Sequence, residues 1–219
     1  MDGERHNKKR KESIMSNRRI GVYEDNYLDH PINASREKNQ PCDKKILKRI
    51  EDVLDNALSK HSRILVYRFD VRCPQNGEYS DTNKLFARGE ADVVKYLTRK
   101  GLDPSYLAVR ERSGKEGNHY HVLMTLDASK TLSPYGHLKK TEMIFERKFG
   151  LEADGNHGVI NYCDHDRKGN PVPNSYIVHR DNEEEYNNVF RRASYMAKIH
   201  SKTDDGKREM FASTRRKKQ

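Results

Sequence analysis

Residues 105–127 read SYLAVRERSGKEGNHYHVLMTLD, and the pattern of this stretch decides the fold. Ser105–Arg112 and His119–Asp127 are runs rich in branched and aromatic residues. The polar, glycine-bearing segment Ser113–Asn118 joins them, so the stretch predicts a β-hairpin. Upstream, Thr82–Lys100 carries Phe86, Val93, Val94 and Leu97 at helical spacing, and Gly101 stops it. Before that helix, Arg63–Arg72 (RILVYRFDVR) reads as a strand with a turn at Cys73–Gly77. Downstream, Pro134–Phe149 predicts a helix ended by Gly150. Two short candidates then compete for a fourth strand, Gly158–Tyr162 and Ser175–His179. The order strand–helix–strand–strand–helix–strand predicts an α+β fold of the ferredoxin-like βαββαβ kind, an antiparallel sheet with helices on one face.

Helices flank this unit at both ends. Ile46, Leu47, Ile50, Val53, Leu54, Ala57 and Leu58 form one apolar stripe. A last helix is expected over Asn182–His200, with Asp181 as its N-cap and Glu184 three residues on. The expected organisation is a basic flexible arm at 1–42, one domain at 43–200 and a basic tail at 201–219.

The chain has 219 residues, 43 Lys plus Arg against 33 Asp plus Glu, and a formal net charge of +10, which favours a polyanionic partner. No apolar run is long enough for a membrane span. Cys42, Cys73 and Cys163 are scattered and odd in number, which suits reduced thiols in a cytoplasmic protein.

His119 and His121 lie two apart on a strand, so both imidazoles leave one face and Tyr120 leaves the other. With the hairpin centred on Glu116, Glu111 falls opposite His121 on the same face. Glu111, His119 and His121 then make a two-histidine, one-carboxylate set suited to manganese, magnesium or zinc. The pair also reads as a plain polar patch, and a one-residue slip would turn Arg110 or Arg112 inward and remove the carboxylate.

Tyr195 and Lys198 sit three apart on the last predicted helix. A phenol beside a cation and a polarised phosphate can act as a nucleophile, although Tyr-x-x-Lys also arises by chance among twelve tyrosines. Tyr162 and Tyr186 are weaker rivals. Backbone contacts are expected from Arg110, Arg112, Arg191 and Arg192, with bases stacking on Tyr67 or Tyr120.

HYHVLMTLD at 119–127 followed by Tyr195-x-x-Lys198 resembles the HUH endonuclease superfamily, in which U is a hydrophobic residue. AVRERSGKEGNHYHVLMTLD at 108–127 and RILVYRFDVR at 63–72 are similar to filamentous-phage-type replication initiation proteins of bacterial prophages, over about residues 45–200. The resemblance implies a nuclease that cuts single-stranded or hairpin DNA at an origin. It further implies a 5′-phosphotyrosine link, a free 3′ hydroxyl that primes rolling-circle synthesis, and later rejoining. Under it His119, His121 and Glu111 are the metal ligands, for magnesium or manganese ahead of zinc. Tyr195 is the nucleophile and Lys198 the residue three beyond it. Tyr120 departs from an aliphatic central residue, one strong nucleophile stands where some relatives carry two, and the absence of a helicase motif implies host helicase and replication machinery as partners. Two other classes stay open: a non-catalytic nucleic-acid-binding module of RNA-recognition type, and a regulatory protein with a degenerate nuclease fold.

Overall fold

Helix α1 (Lys44–Lys60) forms where the apolar stripe predicts it, and all seven stripe residues are buried. Asp43 caps it, its carboxylate accepting from the backbone N–H groups of Lys45 at 2.8 Å and Ile46 at 3.3 Å. The computed structural model describes residues 19–74, 82–113, 117–166, 168–202 and 209–212. Residues 1–18 of the expected arm, most of the expected tail, most of the turn at 73–77 and the expected hairpin centre Glu116 lie outside the described residues.

The predicted unit follows in order: β1 (Arg63–Arg72), α2 (Thr82–Arg99), β2 (Ser105–Ser113), β3 (Gly117–Asp127), α3 (Tyr135–Lys148), β4 (Ile160–Asn161) and β5 (Ser175–His179). Helix α4 (Glu183–Ser194) and strand β6 (Met210–Ala212) complete it. The sheet runs β6-β2-β3-β1, every pair antiparallel, which places the hairpin beside β1 as the ferredoxin-like arrangement requires. Both candidates for the fourth strand are strands. β5 pairs with Arg63–Tyr67 and β4 with Asp70–Val71, end to end along the same edge of β1. Between them the carbonyl of Asn174 accepts from the Arg68 N–H at 3.1 Å, so the edge stays occupied across the break.

Alternation along these strands builds two cores. Leu65, Tyr67, Phe69, Val71, Ala108, Tyr120, Val122 and Met124 pack beneath α2 and α3. Ile64, Val66, Leu107, Val109 and Leu123 pack beneath α1 and α4. The crossover helices therefore share one face and the flanking helices cover the other. Gly89 lets α2 approach α3, because a Cβ there would lie 2.4 Å from the Phe145 ring. Gly101 and Gly150 follow α2 and α3 with φ of 74° and 68°, in the left-handed region that ends a helix.

Three expectations are corrected. Residues 19–42, expected within the arm at 1–42, belong to the packed body, because residues 19–43 form two small antiparallel ribbons and bury Tyr27, Ile32 and Cys42 in the core under α1 and α4. The tail expected at 201–219 contains β6, which adds an edge to β2 and buries Phe211 against Phe86 at 5.2 Å between ring centroids. Neither stretch is long enough to display a period. Finally, α4 is capped by Asn182, whose side chain accepts from the Glu185 N–H at 3.1 Å, and it stops at Ser194 rather than near His200. Tyr195–Ala197 is a 3-10 turn, and Lys198 leaves it to bridge with Cys42. That bridge and the bond from Ile199 N–H to the Pro41 carbonyl at 3.0 Å take the backbone groups that a longer helix would use. Among the described residues no helix is long and apolar enough to cross a membrane.

Candidate functional site

The hairpin pairs Glu111 with His119 and Val109 with His121, two residues away from the expected partner of Glu111. The shift is even, so the side chains keep their face. Glu111, His119 and His121 converge there. Glu111 Oε2 lies 3.1 Å from His119 Nε2 and 2.9 Å from His121 Nε2, and the three candidate ligand atoms all lie within 4.8 Å of one another. A divalent ion held at about 2.1 Å in octahedral geometry sets neighbouring donors about 3.0 Å apart, so the two carboxylate–imidazole edges match in length. His121 Nε2 is buried and faces the Glu111 carboxylate at 2.9 Å. A buried ring nitrogen set between a carboxylate and a second imidazole suits a ligand atom. These three residues can hold a divalent metal.

Two residues behind the ligands were missed by the sequence reading. His121 Nδ1–H donates to Asp70 Oδ1 at 2.6 Å, which leaves Nε2 as the candidate ligand nitrogen. Lys202 Nζ donates to Glu111 Oε1 at 2.5 Å from a side chain with no solvent exposure, which leaves Oε2 toward the histidines. Burial works to raise the Asp70 and Glu111 carboxyls, but contacts with His121 for the first, and with His119, His121 and Lys202 for the second, hold both well below the usual carboxylate range. Burial alone would lower His121, and Asp70 with Glu111 raises it instead. Burial lowers the Lys202 ammonium against the pull of Glu111. Asp70 had a readable signal. Arg68 and Asp70 interrupt an apolar strand on alternate positions and so share one face. Lys202 had none, since it arrives from beyond the irregular segment after α4.

Tyr195 stands beside this set. Its ring centroid is 6.1 Å from that of His121, nearly perpendicular at 84°. Lys198 Nζ lies 4.9 Å from the Tyr195 centroid and Arg68 Cζ 5.4 Å. Lys198 therefore meets Tyr195 around a 3-10 turn, not along the α-helical face expected from their spacing. The rival tyrosines are engaged elsewhere: Tyr186 OH donates to Asp55 at 2.8 Å and Tyr162 OH to Glu142 at 3.3 Å.

The expected nucleic-acid contacts divide. Arg191 is exposed, while Arg192 donates to the Cys163 carbonyl at 3.1 Å. Arg110 is corrected: it pairs with Tyr120 in the ladder, turns to the face under α2 and α3, and is only 3% exposed. Arg112 pairs with Asn118, and its side chain lies outside the described residues. Tyr67 and Tyr120, expected as stacking platforms, are core residues at 1% and 0% exposure and meet no base. A second group with ligand spacing, Glu146, Asp154 and His157, uses its buried carboxylate differently. Glu146 accepts from the backbone N–H groups of Gly155 at 2.7 Å and His157 at 3.1 Å, which shapes the loop after α3.

Residues 29–149 match the model of the YagK/YfjJ C-terminal domain. The chain is 25% identical over 198 residues to "Uncharacterized protein YfjJ" of Escherichia coli (strain K12), covering 75% of this chain and 91% of that protein. Among solved structures it is similar to the N-terminal nuclease domain of minute virus of mice non-structural protein 1, described with Zn2+ in its active-site pocket. That match has 14% identity and a TM-score of 0.34, over 59% of this chain and 79% of the other.

Proposed function

This chain belongs to the YagK/YfjJ C-terminal domain family, and we propose that it is a metal-dependent endonuclease of HUH type that nicks and rejoins single-stranded DNA through Tyr195. The observation that carries this reading is the Tyr195 ring 6.1 Å from His121, which is itself one of three converging ligands. The net charge of +10 suits a polyanionic substrate.

Glu111 Oε2, His119 Nε2 and His121 Nε2 would hold magnesium or manganese, which supplies neutralisation of a nonbridging phosphate oxygen when bound. The Tyr195 phenol oxygen forms the new bond to phosphorus and the P–O3′ bond breaks. The phenol proton passes through solvent to the departing 3′ oxygen, and a 5′-phosphotyrosine remains. Lys198 stabilises, through its positive charge, the negative charge developing beside the ring. The ester so formed is close in energy to the diester it replaces, so the reverse attack rejoins the strand without a nucleotide cofactor. The same reading makes the chain a cytoplasmic initiator of rolling-circle replication of phage or prophage DNA, with a host helicase opening the duplex. Residues 43–200 would be the catalytic domain.

The test is incubation of the protein with single-stranded and hairpin oligonucleotides and manganese, followed by mass spectrometry of any adduct. The expected result is one nucleotide-linked peptide containing Tyr195, absent in Tyr195→Phe while folding and metal binding persist. An adduct on Tyr162 or Tyr186 would move the nucleophile. No adduct with any strand despite bound manganese would overturn the enzyme in favour of a binding protein.

A further inference from the structure

Arg68 carries a poorly compensated charge on the site face. Its side chain projects from β1 under α4 and is 7% exposed, so its guanidinium has lost nearly all its water. A buried guanidinium offers five donors and stays charged. Here Nη2 reaches Asp70 Oδ1 at a long 3.4 Å, and that same oxygen is already taken by His121 Nδ1 at 2.6 Å. Arg68 Nε is buried without a hydrogen bond. Arg192 Nε is also buried without one, and both arginines line a cavity of about 10 Å³ between β1 and α4. A space of that size admits one water at most, so no phosphate can compensate the pair from behind. What Arg68 does face is the ring of Tyr195, with Cζ 5.4 Å from its centroid.

Burying a charge with so little pairing is costly, and it is tolerated where the charge has work at a site. We propose that Arg68 is a positioning residue for Tyr195: its guanidinium holds the ring against the metal ligands and supplies positive potential where negative charge develops during attack. This rests on the proposed role of Tyr195. Lys198 reaches the ring from the chain segment that bears it, whereas Arg68 reaches it from the sheet that bears His121. Arg68 thereby ties the tyrosine to the metal-binding strands, a link that Lys198 cannot make. The two ring contacts are independent, so loss of one leaves the other.

Arg68→Gln and Arg68→Lys separate this from a structural role. With saturating single-stranded DNA and manganese, R68Q is expected to form the Tyr195 adduct about 100-fold more slowly, with the half-saturating DNA concentration unchanged. R68K, which keeps the charge, should recover about tenfold of that loss. Manganese affinity by calorimetry should fall far less than the rate. A second readout needs neither metal nor DNA: the near-ultraviolet circular dichroism contributed by Tyr195, read as wild type minus Y195F, should collapse in R68Q. Adduct formation by R68Q at the wild-type rate overturns the inference, and so does an unchanged Tyr195 dichroism. If R68Q fails to fold, R68K decides: a rate equal to wild type with unchanged dichroism overturns it, and an intermediate rate supports it. A wild-type protein that forms no adduct, yet whose Tyr195 dichroism depends on Arg68, defeats the proposed function and leaves the ring contact standing.

Discussion

The two faces of the sheet are built from the same strands and use their buried positions in opposite ways. Under α2 and α3 the face is aromatic. Phe86 stacks on Tyr120 at 3.9 Å with planes 10° apart, and Phe145 and Phe211 close around them. Even the polar end of Tyr120 is satisfied, donating to Asn83 at 2.7 Å. Under α1 and α4 the apolar core gives way at one end to Arg68, Asp70, Glu111, His119 and His121. Residues 119, 120 and 121 therefore alternate between candidate ligand, core ring and candidate ligand within about 7 Å of strand. The difference teaches that the period of two separates stability from chemistry. The rings pack β3 from behind, and the candidate ligands stand in front on the same strand.

The comparison can be broken from either side. The largest effect is expected from His119→Ala with His121→Ala, which removes two of three ligand atoms: calorimetric manganese binding should weaken by well over about 100-fold. Equal binding by wild type and double variant would leave the histidine face without its role. Phe86→Ala attacks the opposite face and should cost about 3–5 kcal/mol in urea denaturation while the folded fraction still binds manganese. A loss of metal affinity with no loss of stability would reverse the assignment of the faces.

Asp70→Asn is a smaller blow. It keeps the shape but replaces the acceptor that orients His121 and the carboxylate that faces Arg68, so manganese affinity of the folded protein should drop by about 10- to 100-fold and the urea midpoint should fall as well.

The smallest effect sharpens the contrast in charge. On the aromatic face Glu90 is fully buried with neither carboxylate oxygen hydrogen-bonded, and burial pushes its carboxyl up to about 8. The folded state therefore keeps the proton that the unfolded chain releases above its ordinary value of 4.5. Stability contributed by the neutral carboxyl is present at low pH and declines as pH rises from there toward about 8. Glu90→Gln should abolish that decline and exceed wild type by more than about 1 kcal/mol at pH 8, with the gap closing near pH 4. Parallel curves for the two proteins across this range would show that the carboxyl is not held neutral by the core.

Much of this was legible in the residues. The stripe from Ile46 to Leu58, the strand at 63–72 and the hairpin at 105–127 each show a clean period, because each is long and buries one side. His119 and His121 share a face in any register. Glu111 joined them even though the hairpin centre was misplaced by one residue, since that error moves the pairing by two and leaves parity intact. Arg110 was misread for the complementary reason: charge suggests solvent, but its even position turns it into the covered face.

By itself, then, the sequence determined the order of the long elements, the parity of every long strand and the shared face of Glu111, His119 and His121, because helix and strand periods are local properties of the chain. Only the tertiary structure decided that both fourth-strand candidates pair with β1, that residues 19–43 and 210–212 belong to the packed body, and that the last helix ends at Ser194. It alone brought Asp70 to His121, Lys202 to Glu111 and Arg68 against Tyr195. Those contacts join residues 51, 91 and 127 positions apart, and no local period carries information over such distances: they arise when the chain closes its backbone hydrogen bonds and buries both faces of one sheet.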